Sequence, residues 1–245
     1  MQDHIQQDQP PGVPPLSLTG ERTLPDVPLE NYWFRRHLAV YEWIADRCAG
    51  LDVVDMACGE GYGVEVLARR ARRVTGVDAN PEAHEHAQLK YARPGVRFVR
   101  ELVERYSEPC DAVVFLQTIE HVKEPRALLD RFRELAPVTY VSTPNRLTLA
   151  PPGAEKSDNP WHLREYTPEE FRELCGPDAE ILGLFHARRL RAHELALRAG
   201  WDHVHPALGI TDSFYGWFTP SITSRDFLLR SGPLERALDF LAVLR

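Results

Sequence analysis

The 245-residue sequence is short of several things, and each shortage excludes something. It has four cysteines, Cys48, Cys58, Cys110 and Cys175, and no two form a CxxC pair. Scattered cysteines in a chain this long read as small core residues in a reducing compartment, not as a zinc site or a disulfide framework. No apolar run approaches the ~18 residues of a membrane-spanning helix. The amino end, MQDHIQQDQPPGVPP, has neither a cationic start nor an apolar stretch, so no secretory signal is expected and the protein is placed in the cytoplasm. Positive charge is not in excess. A net charge of -7 and a pI of 5.8 argue against a nucleic acid as partner, which would need a basic face. Lysine is scarce: 26 of the 29 basic residues are arginine, so a lone arginine says little without a motif around it.

What is present begins at about Glu30. Residues 1–19 are rich in Pro and Gln and are expected to form a disordered tail. Then Tyr32, Trp33, Leu38, Tyr41, Trp43 and Ile44 recur at helical spacing, which predicts an amphipathic helix over 31–48. Strands are expected at 51–57, 73–78, 96–100, 111–117 and 138–142, with helices at 64–72, 81–91 and 125–135 between them. Pro81 and Pro125 stand near helix starts, where a missing N–H does no harm. This alternation predicts an α/β domain: a doubly wound, mostly parallel sheet of seven strands with helices on both faces. After it comes a Pro-rich loop over 144–166, a helix at 168–175, a strand at 180–186, a mostly helical stretch over 188–230 and a last strand at 238–244. A loop this long inside a compact domain is usually functional.

The segment DMACGEGYG, residues 55–63, follows the apolar run LDVV. A strand, a glycine-rich turn and a helix make a nucleotide site, because a ligand can approach bare backbone and meet free N–H donors. The dinucleotide fingerprint G-x-G-x-x-G is not met: Gly59, Gly61 and Gly63 are spaced G-x-G-x-G, and Val64 takes the third place. Asp55 and Glu60 flank the turn and would face a pyrophosphate badly. They suit a cationic ligand.

DMACGEGYG resembles the first motif of the class I methyltransferases that use S-adenosylmethionine. The likeness continues in order along the chain. VTGVDAN puts Asp78 at the end of the second strand, 17 residues after Gly61, where a carboxylate can accept from ribose hydroxyls. Glu101 stands after the third strand where the family often has Asp or Asn for the adenine amine. FLQTIEHV follows the fourth strand, with Gln117 near the methionine part and Glu120–His121 toward the acceptor. The resemblance implies a Rossmann-like methyltransferase fold and S-adenosylmethionine as cofactor. It also implies a cofactor site built from Asp55, Ala57, Gly59, Gly61, Tyr62, Asp78, Ala79, Glu101, Leu102 and Gln117. Arg36, in ENYWFRRH, is expected to pair with the methionine carboxylate, and Tyr62 to lie near the sulfonium. The segments TGERTLPDVPLENYWFRRH, VSTPNRLTLAP, SDNPWHLREYTPEEF and GLFHARRLR are similar to actinobacterial methyltransferases linked to 6-O-methylglucose lipopolysaccharides. That likeness implies a sugar hydroxyl as acceptor.

A hydroxyl is a poor nucleophile, so a base is expected, and histidine suits the task. His121 and His162 are the candidates; each could instead shape the pocket or bond a carbonyl. Trp33, Asn145, Glu165 and Tyr166 are expected on the acceptor side. His84 and His86 read as solvent-facing, and His203 and His205 as a weak metal pair. No compact Asp/Glu cluster stands out, so no metal is expected. The acceptor is thus an oligosaccharide or another small molecule such as a quinone or polyketide. A non-catalytic module that only binds the cofactor, and a nucleotide oxidoreductase, stay as rival readings. Oligomeric state is left open.

Overall fold

The computed structural model describes residues 5–151, 153–198 and 218–245. Its centre is one sheet of eight strands in the order β3-β2-β1-β4-β5-β8-β6-β7. The strands are β1 (Asp52–Met56), β2 (Arg73–Asp78), β3 (Val96–Arg100), β4 (Ala112–Leu116), β5 (Val138–Pro144), β6 (Glu180–His186), β7 (Phe227–Arg230) and β8 (Asp239–Leu244). Strands β1 to β5 pair in parallel, while β8 runs antiparallel between β5 and β6, and β7 pairs antiparallel with β6. The sheet has one strand more than expected. The addition is β7, which lies in a stretch read as helical. Its few residues, FLLR, are too short to show a strand period, and pairing with β6 decides their state.

The central strands are apolar on both faces because helices cover both. Strand β4, AVVFL, is buried throughout. The helices are α1 (Asn31–Ala45), α2 (Tyr62–Leu67), α3 (Pro81–Tyr91), α4 (Pro125–Leu135), α5 (Arg146–Leu149), α6 (Pro168–Cys175) and α7 (Arg188–Arg198). Local chemistry sets their starts. Asn80 caps α3, its side-chain oxygen accepting from Glu82 N and Ala83 N. Thr167 and Glu170 form a reciprocal capping box on α6. His203, His205 and the part of the expected helical stretch over 199–217 lie outside the described residues.

Two expectations are corrected here. Residues 5–19 are not a loose tail among the described residues. Ile5 bridges to Ser17, Leu16 is buried with Leu24 and Val27, and Gln6 bonds to Glu60. Apolar content was low, but a few well-placed groups dock on a finished surface. His86 is not solvent-facing. It is fully buried, with Nδ1 2.8 Å from the Pro14 carbonyl oxygen and Nε2 2.9 Å from Glu60 Oε1.

The connection order matters for the site. From β1 the chain moves outward through β2 to β3, then returns to β4 on the other side of β1. Loops leaving β1 and β4 therefore diverge and open a crevice between them. In open α/β sheets that switch point is where ligands bind.

Candidate active site

A cavity of about 380 Å³ occupies that crevice. Its floor is Ala57, Cys58 and Gly59 after β1, with Leu116, Gln117 and Thr118 at the end of β4. Both loops leave their strands through left-handed residues that are not glycine: Ala57 at φ 57° and Gln117 at φ 51°. Such backbone costs on the order of 1–3 kcal/mol and persists where the surroundings hold it. At Gln117 the hold is visible. Its backbone N–H bonds to the Ser142 carbonyl oxygen and to Ser142 Oγ, and its side-chain amide also reaches Ser142 Oγ.

The three glycines do different work. A Cβ on Gly59 would meet nothing within 4 Å, so this is the bare backbone open to a ligand. A Cβ on Gly61 would come within 2.9 Å of Tyr91, and one on Gly63 within 2.2 Å of Tyr41. Those two glycines let α2 pack closely. Gly59 N donates to Asp78 Oδ2 at 2.8 Å, and Asn80 N to Asp78 Oδ1 at 2.8 Å, so the Asp78 carboxylate is aimed by two backbone donors. Glu101 N bonds to the Asp78 carbonyl, which sets the ends of β2 and β3 side by side. Asp78 and Glu101 are half-buried; Ala79 and Leu102 beside them are exposed. Tyr62 lines the cavity together with His37, whose pKa burial lowers to about 4.

Several expected site residues are engaged elsewhere. Asp55 is fully buried, its oxygens accepting from Tyr41 Oη at 3.2 and 3.3 Å, and burial pushes its carboxyl well above the ordinary range. It is not part of the cavity wall. Arg36 is engaged outside the cavity wall: its guanidinium forms a buried ion pair with Asp239 on β8 and bonds to the Leu238 carbonyl. Asn145 is buried, donating to the Leu234 and Ala237 carbonyls while its oxygen caps α5. Tyr166 is 1% exposed and packs among Phe171 and the core around Phe115. Glu165 is fully buried; it accepts from Ser157 N, Ser157 Oγ and His162 Nδ1. Sequence could not tell these polar residues from ligand contacts: the partners of Arg36 and Asn145 come from distant chain, and whether the nearer partners of Asp55 and Glu165 meet them depends on the fold.

The two candidate histidines do meet. Their rings lie 5.1 Å apart, edge to face, on the cavity wall. His121 sits on a single 3-10 turn, Ile119–His121, just past β4. Its Nδ1 is 2.8 Å from the Trp161 carbonyl oxygen, so Nδ1 carries the proton and Nε2 keeps its lone pair. Burial lowers its pKa. His162 lies on the 144–166 loop. Its Nδ1 is 2.6 Å from Glu165 Oε1, and Nε2 is 3.1 Å from the Asn159 amide nitrogen. Asn159 Oδ1 accepts from Trp161 N, which turns its NH₂ toward His162, so here too Nε2 is the unprotonated nitrogen. Glu120, between Ile119 and His121, is 1% exposed. Its Oε2 accepts from Thr143 Oγ1, and burial raises its pKa to about 8. The Glu120 carbonyl accepts from Leu163 N and Arg164 N, pinning the long loop to the end of β4. Glu120, Asn159 and Tyr41 are site residues that the sequence reading underweighted; the NPWHLREY motif was the signal for Asn159.

A model of the methyltransferase domain matches residues 30–205. The chain belongs to that family. A probable S-adenosylmethionine-dependent methyltransferase of Mycolicibacterium smegmatis is 43% identical to this methyltransferase over 194 residues, covering 76% of this chain and 74% of the relative. A ubiquinone biosynthesis O-methyltransferase of Xylella fastidiosa is 33% identical over 111 residues, 42% of this chain and 45% of the relative. Among solved structures, a plantazolicin methyltransferase in complex with S-adenosylhomocysteine superposes with a TM-score of 0.51 and 15% identity, covering 89% of this chain and 85% of that one. That last likeness shows the fold alone. The methyltransferase uses S-adenosylmethionine as its cofactor. Among the described residues no helix is long and apolar enough to cross a membrane.

Proposed function

We propose that the protein is an O-methyltransferase acting on a sugar hydroxyl, in synthesis of a methylglucose lipopolysaccharide type of polysaccharide. One observation carries the reading: His121 keeps a free Nε2 lone pair on the cavity wall while the Trp161 carbonyl fixes its Nδ1 proton. Such a nitrogen can take the proton of an attacking hydroxyl, an effect typically worth about 10²–10⁴-fold. His162, oriented by Glu165, is the second candidate for that proton. When bound, S-adenosylmethionine supplies an electrophilic methyl group on a sulfonium.

The residues present fit that cofactor. Gly59 leaves open space where a side chain would stand, and the aimed Asp78 carboxylate keeps lone pairs for ribose hydroxyls. Glu101 and Leu102 would hold the adenine end, with Ala79 beside them. Ala57, Tyr62 and Gln117 would face the methionine end. Asp55 acts through Tyr41 and the β1 turn, and Gly61 through packing. On the acceptor side, Trp33 lines the cavity and is 38% exposed, and Trp161 beside His121 is 45% exposed. Flat, half-exposed indoles with polar neighbours such as Arg22, Glu21 and Asn159 suit the faces and hydroxyls of a sugar. Holding the acceptor oxygen in line with the methyl group accounts for much of the rate.

The partial likeness to a ubiquinone O-methyltransferase supports oxygen as the methylated atom. It also favours, as second reading, a small hydroxylated metabolite as acceptor. The test is transfer of labelled methyl from S-adenosylmethionine to glucan and methylglucan oligosaccharides, with a catechol panel alongside. Label on a sugar that is lost in His121→Ala supports the reading. Label on the catechols alone, or none from protein that binds S-adenosylhomocysteine, overturns the sugar assignment.

A further inference from the structure

We infer that Glu120, His121 and His162 form a binding site for a divalent transition-metal ion at the acceptor end of the cavity. The three residues each bring a ligand atom within 4.8 Å of the others. An ion with bonds of about 2.1 Å draws such atoms to within roughly 3.5 Å, a movement of little more than an ångström. The sequence hides the set, because His162 comes from the long loop and reaches the Glu120–His121 turn only through tertiary contact.

Two independent features point to a cation. First, Glu120 is 1% exposed and lines the cavity, yet none of its contacts among the described residues is cationic; the hydroxyl of Thr143 is its side-chain partner. A carboxyl group buried in this way keeps its proton unless a cation takes its place, and here the place beside it is open to the cavity. Second, both imidazoles are oriented as metal ligands are. Each gives its Nδ1 proton to a fixed oxygen, the Trp161 carbonyl for His121 and the Glu165 carboxylate for His162, which leaves Nε2 as the ligand atom. Ser157 holds Glu165 in place from the other side. The His162 lone pair now accepts from Asn159, a half-buried loop side chain that must turn aside.

Two imidazoles and one carboxylate suit Zn²⁺, Co²⁺ or Mn²⁺ and leave positions open for an oxygen ligand. An oxygen bound there is acidified by the ion. The proton-accepting role of His121 belongs to the ion-free cluster; with an ion bound, the same lone pair is a ligand. The site does not depend on what the acceptor is.

The test is titration of the tag-free, metal-stripped chain with Co²⁺, read by equilibrium dialysis and by the visible absorption of nitrogen-ligated cobalt, without cofactor or acceptor. We expect one equivalent bound, and affinity lower by roughly 10-fold or more in Glu120→Gln and in His121→Asn. His121 is only half-buried, so His121→Asn keeps the test alive if the buried Glu120 variant fails to fold. Asn159→Ala, which frees the His162 lone pair, should bind Co²⁺ more tightly. Absence of saturable binding, or equal affinity and spectrum in the wild type and His121→Asn, overturns the site. Because methyl transfer is not measured, failure of the sugar reading leaves this result untouched.

Discussion

At the scale of single residues, the glycine turn separates binding from packing. In Gly63→Ala the new Cβ would lie 2.2 Å from the ring of Tyr41, which is buried and bonded to Asp55. Overpacking of this kind costs about 1–3 kcal/mol, so thermal unfolding should occur several degrees lower. Gly59→Ala meets open space but must keep φ at 54°, at a cost of about 1–2 kcal/mol. Its main loss should be in S-adenosylhomocysteine affinity by calorimetry. Similar losses of affinity and similar melting curves in both variants would refute the distinction. Asp78→Ala removes an acceptor aimed by Gly59 N and Asn80 N. A hydrogen bond to a charged group is worth about 1.5–3 kcal/mol, so affinity for S-adenosylhomocysteine should fall roughly 10- to 100-fold. Undiminished affinity would remove Asp78 from the cofactor site. The G-x-G-x-G spacing and Asp78 were both legible in sequence. Which glycine faces the ligand was not, since that depends on where Tyr41 and Tyr91 pack.

At the scale of elements, α3, the β1 turn and the amino-terminal segment are locked by one buried carboxylate. Glu60 is 1% exposed and takes bonds from Gln6, Tyr62 N, Lys90 and Tyr91, with His86 Nε2 at 2.9 Å. Burial alone would raise its pKa, but His86 and Lys90 outweigh that and hold it below the ordinary value. The sign of the linkage follows. A depressed carboxyl stabilises the fold fully above its unfolded pKa, about 4.3, and the contribution is lost as pH falls through the lower folded value. Glu60→Gln should therefore destabilise the protein at neutral pH, and the gap to wild type should narrow in acid. Breaking one side of a buried pair costs about 3–5 kcal/mol. Urea unfolding at the two pH values checks this, and a gap that stays constant would refute it. The helix and strand positions of the core were readable from periodicity and proline placement. The docking of residues 5–19 was not, because it rests on a few contacts to side chains that only the folded surface supplies.

At the scale of the whole molecule, α1 and the last strand, β8, hold each other. Arg36 on α1 is ion-paired with Asp239 at the start of β8, 203 residues away, with both side chains almost wholly buried. Strand β8 in turn lies inside the sheet, bonded to β5 on one side and β6 on the other. Arg36→Ala should cost about 3–5 kcal/mol of stability while leaving S-adenosylhomocysteine affinity, measured well below the melting point, nearly unchanged. A selective loss of affinity with normal stability would restore the cofactor role expected from sequence. Ending the chain at Leu238 would remove β8, take one neighbour from each of β5 and β6 and part the β6–β7 pair from the rest of the sheet, so that variant should fail to give a cooperative unfolding transition by circular dichroism.

The sequence by itself determined the layered α/β architecture, because that follows from local periodicity, and its ordered motifs pointed to the cofactor through their resemblance to class I methyltransferases; the crevice between the β1 and β4 loops follows from the strand order of the folded sheet. Arg36, Asn145, Glu165 and Tyr166 could be placed only by the tertiary structure. Each carries a polar group that suits a ligand equally well on paper, and only the folded chain shows it satisfied or enclosed by protein: Arg36 by Asp239, Asn145 by backbone carbonyls, Glu165 by Ser157 and His162, Tyr166 by the core. The meeting of Glu120, His121 and His162 is likewise a tertiary fact, since 41 residues of chain separate the two histidines and the loop reaches its place through backbone bonds to the Glu120 carbonyl.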